Sequence, residues 1–269
     1  MTSTTSSKSM SESRELPPSV VALTPGVLER SRAGHSEAAI SAMERAALAA
    51  VRGGVRGIVV REPSLEDGAV LELARRLRSI LDDAEDAGWL CVHDRVHLAE
   101  AAGANAAHVG GRSLPSAEAR VVLGEARALG ASSHASDAPE AVAEVFPGAD
   151  YLFHAPVFAP NSKATDASEG GEAATLGWAA AEAFALEAAL PVYALGGVTV
   201  ERLNELKVRR APENDSIRGL RGVALIGGIW GTTSDPAAAL RALGDLRGIE
   251  SRARLLAATA AARFSGDER

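Results

Sequence analysis

Short apolar runs alternate with longer segments of helical periodicity along most of this chain. Eight runs of three to five residues have the length and apolar content of buried strands, and helical spacing follows each of them. The predicted strands cover residues 20–23, 57–60, 89–92, 106–109, 131–133, 151–153, 192–195 and 222–226. The predicted helices cover residues 36–52, 65–87, 95–102, 115–129, 137–146, 175–189, 199–206 and 235–245.

Eight strand-helix units in succession predict an α/β fold, a single-domain (β/α)8 TIM barrel with its functional residues at the carboxyl ends of the strands. The 269 residues of the chain fit one such domain, since these barrels typically have about 250 residues. An open, doubly wound sheet is the structural alternative. No Gly-x-Gly-x-x-Gly turn follows the first strand to favour a dinucleotide-binding fold of that kind.

Both ends of the chain are predicted to lie outside the barrel. Residues 1–18 are rich in Ser and Thr and lack a signal-peptide pattern, which is typical of a disordered tail. The barrel is expected over residues 19–248, followed by a C-terminal helical extension over residues 249–269. Residues 207–221 are charged and contain Pro212 and Asn214, as in a long loop before the last strand.

Composition narrows the class of partner. A formal charge of −7 argues against nucleic-acid binding, because neutralising phosphates requires clustered Lys and Arg. No apolar run is long enough to span a bilayer, so no membrane partner is expected. Cys91 has no second cysteine to pair with, which fits a reducing cytoplasm. A small metabolite is the expected partner, and the apolar helix faces leave a homo-oligomer open.

Glycine pairs after the last two strands indicate an anion site. Barrels often bind phosphate at this position, where backbone N–H groups approach the ligand closely. A Pro-bounded loop near residue 160 carries a hydroxyl and a cation that would close over the same group. The alternative is that the glycines only turn the chain. The predicted phosphate site consists of Gly196, Gly197, Gly227, Gly228, Ser162 and Lys163.

His134 ends the fifth predicted strand and is the leading acid–base candidate, because imidazole exchanges protons near neutral pH. A structural or merely exposed histidine is the alternative. His93, His108 and His154 also lie near strand ends, and the strand pattern around His108 favours burial.

Three charged residues follow the second and third strands. Arg61 and Glu62 form either a polar pair at the mouth or a buried ion pair that closes the barrel end. Asp94 faces a similar choice, since a lone carboxylate more often caps the next helix than binds a metal. No metal is expected from this pattern.

Together these motifs resemble the thiamin phosphate synthase and TenI family over about residues 20–246. Order and spacing are kept across the chain, and the family fold is the same (β/α)8 barrel. The matching segments are Val60-Arg61-Glu62, residues 93–99, His108-Val109-Gly110, Ser132-Ser133-His134, residues 148–151, Pro156-Val157-Phe158 with Lys163, and residues 194–198.

Departures from the synthase pattern favour one of the two family activities. Synthases typically carry Gln-x-Arg-x-Lys where Val59, Arg61 and Pro63 stand, and a second magnesium-binding Asp where Ser113 stands. They also carry Asn-Asp where this chain has His93-Asp94. A pyrophosphate leaving group needs metal and cations to stabilise its developing charge. The absence of these polar and charged residues therefore counts against synthase activity.

The Ser-x-His turn at residues 132–134 resembles that of TenI-type proteins. The resemblance implies a thiazole tautomerase, an isomerase that converts a carboxythiazole phosphate of thiamin biosynthesis to its aromatic tautomer without a cofactor. His134 would move the proton, Arg61 would hold the carboxylate, and Lys163 with the glycine amides would hold the phosphate. Glu62 would orient Arg61 or a substrate group, and both Glu62 and Asp94 are predicted to be substrate-binding residues.

Two alternatives remain open at this stage. The first is a thiamin phosphate synthase, the one reading that would require magnesium. The second is a catalytically silent barrel that binds a phosphorylated intermediate of the thiamin pathway.

Overall fold

A computed structural model describes residues 14–28, 30–31, 34–35, 37–86, 88–159, 176–207, 218–231 and 235–264. Its strands are β1 (Val20–Leu23), β2 (Arg30–Ser31), β3 (Gly34–His35), β4 (Gly57–Val60), β5 (Trp89–His93), β6 (Ala106–Val109), β7 (Ala128–His134), β8 (Tyr151–Ala155), β9 (Val192–Leu195) and β10 (Leu220–Leu225). Eight of them form a closed barrel in the order β1-β10-β9-β8-β7-β6-β5-β4, while β2 and β3 form a small antiparallel pair. The predicted (β/α)8 barrel is confirmed.

The helices lie around this barrel. They are α1 (Glu37–Arg52), α2 (Asp67–Asp82), α3 (Ser116–Leu123), α4 (Val142–Val145), α5 (Gly177–Glu187), α6 (Val200–Glu205), α7 (Gly227–Trp230), α8 (Pro236–Ala242) and α9 (Leu246–Phe264), with 3-10 turns at Val96–Leu98 and Pro139–Ala141. The helix predicted over residues 95–102 is thus only a 3-10 turn. The helix predicted over 115–129 ends at Leu123, because Gly124 adopts a positive φ of 72°.

Aromatic side chains fill the lower part of the barrel interior. Trp89, Tyr151, Phe153 and Tyr193 pack edge-on or tilted, with ring centroids 5.3 to 6.1 Å apart. Small residues face them: a Cβ on Gly130 would lie 2.2 Å from Cζ of Tyr151. The interior is therefore a packed core rather than a pore.

Cys91 belongs to the same interior layer. Its Sγ lies 3.6 Å from the hydroxyl oxygen of Tyr151, and the residue is fully buried. Burial raises the pKa of this thiol to about 12. The thiol is therefore protonated and unreactive while the barrel is closed.

Helix α9 packs between α1 and α6 and completes the outer ring. The sequence analysis assigned most of this segment to an extension beyond the barrel. Close packing requires glycine in the turn after α1, where a Cβ on Gly53 would lie 2.6 Å from the Ala253 Cβ. Helix α9, rather than the helix predicted over residues 235–245, thus covers the last strand.

Residues 14–18, which the sequence analysis placed in the N-terminal tail, lie across the amino ends of the strands. Trp89 donates a hydrogen bond from Nε1 to the carbonyl of Glu15 at 3.1 Å, and the Tyr193 hydroxyl donates to the carbonyl of Pro17 at 2.6 Å. This short segment therefore closes the bottom of the barrel. In the described part of the chain, no helix is both long and apolar enough to cross a membrane.

Candidate active site

The carboxyl ends of the strands bring Arg61, His93 and His134 to the mouth of the barrel. Successive side chains along a strand point to opposite sides, so every second residue points inward. Val59 and Cys91 lie in the interior, which directs Arg61 and His93 inward. His134 lies six residues after the interior residue Ala128 on the same strand, so its side chain also points inward. Three candidate side chains, each predicted near a strand end, therefore share one mouth.

The His134 ring is anchored at one nitrogen. Its Nδ1 lies 3.1 Å from the carbonyl oxygen of Ala155, and its backbone N–H donates to Oδ2 of Asp137 at 2.8 Å. A carbonyl oxygen only accepts hydrogen bonds, so the neutral ring in this contact carries its proton on Nδ1. Nε2 is then a proton acceptor on an exposed side chain, which is the state required of a general base.

His93, Asp94 and Ser113 form a second polar chain at the mouth. Nδ1 of His93 lies 2.9 Å from Oδ2 of Asp94, and the Ser113 hydroxyl donates to Oδ1 of the same carboxylate. Asp94 has a φ of 64°, a left-handed conformation that Asp tolerates better than most residues. Burial raises the pKa of Asp94, but hydrogen bonds from His93 and Ser113 outweigh it and lower the pKa to about 2. Asp94 is thus ionised and fixed in place.

Arg61 and Glu62 separate into two roles. The Glu62 side chain is buried and accepts hydrogen bonds from the backbone N–H groups of Gly26, at 3.0 Å, and Leu28, at 2.9 Å. Burial raises the pKa of Glu62, against the lowering effect of these hydrogen bonds. Glu62 therefore holds the loop after β1. The Arg61 backbone N–H donates to Oγ1 of Thr24 at 2.8 Å, and its guanidinium makes no hydrogen bond to another described residue.

The two glycine pairs lie side by side. Gly196 and Gly197 have φ values of 99° and 61°, and a Cβ on Gly197 would lie 2.6 Å from the Ala159 carbonyl oxygen. A Cβ on Gly228 would lie 2.7 Å from the carbonyl oxygen of Val198. The loop after β9 thus contacts the start of the short helix α7. The predicted Ser162 and Lys163 lie outside the described residues.

The synthase alternative would require a magnesium ion, and Asp94 is the carboxylate at the mouth that would bind it. Both carboxylate oxygens of Asp94 already have partners, His93 and Ser113. Within the described ranges, no group of three His, Cys, Asp or Glu side chains is arranged to hold a metal. Magnesium usually binds one or two carboxylates together with substrate phosphate oxygens and waters, and each Asp94 oxygen keeps a lone pair beside its hydrogen bond.

The other two strand-end histidines are packed into the protein. Nε2 of His108 lies 3.0 Å from the Ser132 Oγ, and the ring stacks on Phe153 with centroids 4.4 Å apart. His154 points outward, where Nδ1 lies 2.9 Å from the Ser133 Oγ and the ring stacks on Phe184. The expected burial of His108 is confirmed. Neither histidine is open to the mouth.

Comparison with known proteins identifies the family. A family model described as thiamine monophosphate synthase (TMP-TENI) matches residues 34–253. A putative thiamine-phosphate synthase of Geobacter sulfurreducens is 37% identical over 194 residues, which cover 72% of this chain and 82% of the relative. A thiamine-phosphate synthase of Anaeromyxobacter dehalogenans is 35% identical over 223 residues, which cover 77% of this chain and 91% of the relative.

The comparison with solved structures supports the fold. The solved structure of thiamine phosphate pyrophosphorylase from Pyrococcus furiosus superimposes with a TM-score of 0.58 at 21% identity, covering 87% of this chain and 96% of that one. The fold and the mouth define a single-domain (β/α)8 barrel with ionisable side chains at the carboxyl ends of its strands. The chain belongs to the thiamine monophosphate synthase (TMP-TENI) family, as its motifs predict.

Proposed function

We propose that this protein is an enzyme of thiamin biosynthesis that isomerises a carboxythiazole phosphate to its aromatic tautomer. The observation that carries the proposal is the anchoring of His134. Its Nδ1 contacts the Ala155 carbonyl at 3.1 Å, so that Nε2 is the proton acceptor of the neutral ring at the mouth. A proton shift requires such a group and no leaving-group chemistry. General acid–base catalysis contributes about 10²–10⁴-fold to a rate.

The neighbouring groups suit the rest of this substrate. Arg61 has a guanidinium without a hydrogen-bonding partner among the described residues, and guanidinium groups bind carboxylates in bidentate geometry. One glycine pair follows β9, and the other follows β10 and begins helix α7. Barrels often bind phosphate at this position. Lys163 and Ser162 remain part of the proposed phosphate site. Glu62 acts indirectly in this proposal, by holding the loop beside Arg61.

Thiamin phosphate synthase is the second candidate. The names of the relatives at 37% and 35% identity favour it over the tautomerase. The mouth counts against it, because Ser113 replaces a carboxylate and donates to Asp94. Val59 and Pro63 likewise replace the glutamine and the lysine of the synthase motif. A barrel that binds a thiazole phosphate without turnover is the third outcome to test.

Two parallel assays separate these candidates. Proton NMR would follow formation of the aromatic carboxythiazole phosphate from its enzymatically prepared, non-aromatic tautomer, in the wild type and in His134→Ala. The second assay would supply the pyrimidine pyrophosphate, the thiazole phosphate and magnesium, and detect thiamin phosphate. Isomerisation that falls at least about 100-fold in His134→Ala would support the proposal. Thiamin phosphate formation without isomerisation would replace it by the synthase.

The matched control is His97→Ala. His97 is an exposed histidine whose Nε2 contacts Asp67 at 2.9 Å, so its loss should leave isomerisation unchanged. The proposed proton shift requires no cofactor. The lone, buried Cys91 remains consistent with the reducing cytoplasm proposed as the location.

A further inference from the structure

Two histidines at the mouth have the same arrangement of hydrogen bonds. In His93, as in His134, Nδ1 faces an oxygen that only accepts hydrogen bonds: the Asp94 carboxylate at 2.9 Å and the Ala155 carbonyl at 3.1 Å. Each neutral ring therefore keeps its proton on Nδ1 and offers Nε2 as the acceptor. Nε2 of His93 makes no hydrogen bond to any residue that the structure describes.

The position of His93 is fixed from both sides. Asp94, which orients its ring, is held by the Ser113 hydroxyl and by a hydrogen bond from its own backbone N–H to the His108 carbonyl at 2.9 Å. The His93 ring also stacks on His108, with centroids 5.5 Å apart. An ionised carboxylate beside Nδ1 stabilises the positive charge that the ring acquires when Nε2 takes a proton, which is the role of Asp in catalytic triads.

The barrel strand between the two imidazoles is followed by a glycine. His93 ends β5 and His134 ends β7, and the strand between them continues inward at Gly110. This position has no side chain, and the three atoms nearest to a Cβ built there are Cε1 and Nε2 of His93, each at 3.6 Å, and Oγ of Ser113 at 3.8 Å. Gly110 therefore leaves the neighbouring side of the His93 ring uncovered by a side chain, which gives a substrate ring access to Nε2. His108 offers no such access, because it is buried with Nε2 on Ser132.

We propose that His93, oriented by Asp94, is a second catalytic residue of this site and divides the proton shift with His134. This inference rests on the proposed function. Nε2 of His93 removes a proton from a ring carbon of the substrate, and the C–H electron pair enters the ring π system. The conjugated double bond outside the ring takes a proton from Nε2 of His134, which enters the step in its protonated form with Nδ1–H still on the Ala155 carbonyl. This transfer forms the new C–H bond and leaves His134 neutral, with Nε2 again an acceptor. The substrate keeps its proton count, and exchange with water resets both imidazoles.

Asp94 is a positioning residue in this scheme, and Ser113 positions Asp94. Neither touches the substrate carbon atoms. Two fixed rings serve the two carbon atoms without either ring having to move between them, which is an orientation advantage.

The test measures product formation and substrate exchange in D2O by proton NMR. The variants are His93→Asn, Asp94→Asn and His134→Ala, with His97→Asn as the exposed-histidine control. Asparagine tolerates the left-handed conformation of Asp94 and keeps its size. Unfolding temperatures of all variants establish that they are folded.

His93→Asn is expected to lower kcat at least about 100-fold and to abolish exchange of the ring proton, with KM changed less than about threefold. His134→Ala is expected to form little product and yet return substrate deuterated at the ring carbon, because His93 still removes that proton. Asp94→Asn should lower kcat at least about tenfold with KM retained.

The two proposals fail differently. An active wild type with full activity and exchange in His93→Asn would overturn the role of His93 and leave the tautomerase intact. Loss of ring-proton exchange in His134→Ala would assign both proton transfers to that one residue. A wild type that forms no aromatic product would overturn both proposals together.

Discussion

At the bottom of the barrel, Asp150 accepts hydrogen bonds from Arg14 at 2.6 Å, from Arg120 at 2.5 Å and from the Leu129 amide at 2.8 Å. At the mouth, Arg61 and Nε2 of His93 have no such partners within the described residues. Both ends are rich in polar groups. They differ in whether those groups are satisfied by the protein itself.

This difference follows the division of labour in α/β barrels, in which the amino ends of the strands serve stability and the carboxyl ends serve catalysis. A donor that already has a protein acceptor gains little from a ligand, because binding exchanges one hydrogen bond for another. A cation or imidazole at the mouth without a partner among the described residues exchanges only water for the ligand and so keeps the net gain of that hydrogen bond. We therefore expect substitutions at the two ends to affect different measurements.

The largest expected effect is at the bottom. Asp150→Ala leaves the Leu129 amide without its side-chain acceptor and removes the carboxylate that pairs with Arg14 and Arg120, and should lower the free energy of unfolding by about 3 kcal/mol. Urea denaturation measures this loss, while kcat and KM of the remaining folded enzyme should not change. A fall in kcat or a rise in KM, measured on the folded fraction of Asp150→Ala, would contradict the prediction that this end of the barrel affects stability and not catalysis.

A second prediction concerns pH and the outward-facing His154. Burial lowers the pKa of His154 to about 4, whereas an unfolded histidine titrates near about 6.5. Between these values the unfolded chain binds a proton that the folded protein does not. The free energy of unfolding should therefore fall by about 1–3 kcal/mol as pH drops from about 6.5 to about 4.

The variant His154→Asn isolates this contribution. Its amide can still bond the Ser133 hydroxyl, which lies 2.9 Å from Nδ1 of the histidine, but it does not titrate. Urea denaturation at several pH values should show a flatter profile than the wild type. An unchanged slope between pH values of about 4 and about 6.5 would assign the acid sensitivity to other groups.

The smallest expected effect on the free energy of unfolding is at the mouth, where a substitution changes substrate binding instead. Arg61→Ala should raise KM about 10- to 100-fold, since a hydrogen bond to a charged group is worth about 1.5–3 kcal/mol. The free energy of unfolding should change by less than about 1 kcal/mol. Arg254→Ala is the matched control, because Arg254 lies on the outer helix α9 and pairs with Glu250 at 2.6 Å. Equal KM changes in both variants would remove Arg61 from the proposed carboxylate site.

The strands were more predictable than the helices. Apolar runs locate all eight barrel strands, although β7 extends over Ala128–His134 rather than residues 131–133. Its first half contains Gly130, whose lack of a side chain fits Tyr151 on the next strand. The helices are harder because Ala-rich segments have helical spacing even where, as at Val96–Leu98, the chain forms only a single turn.

The sequence predicted only those site residues that lie at the end of a predicted strand. His134, Arg61 and Asp94 were found by their position after a strand. The binding of Glu62 to the amides of Gly26 and Leu28 is a contact between distant segments, which local spacing does not reveal. The pairing of His93 with Asp94 depends on a left-handed backbone conformation, for which an Asp gives only a weak sequence signal.

The position of Cys91 also allows opening of the barrel to be measured without an added label. The single thiol of the chain lies among interior aromatic rings, where an alkylating reagent can reach it only after the strands separate. The rate at which Cys91 is labelled under native conditions therefore reports how often the barrel opens. The same alkylating reagent would measure the rate of barrel opening in every variant that retains Cys91, without an introduced probe.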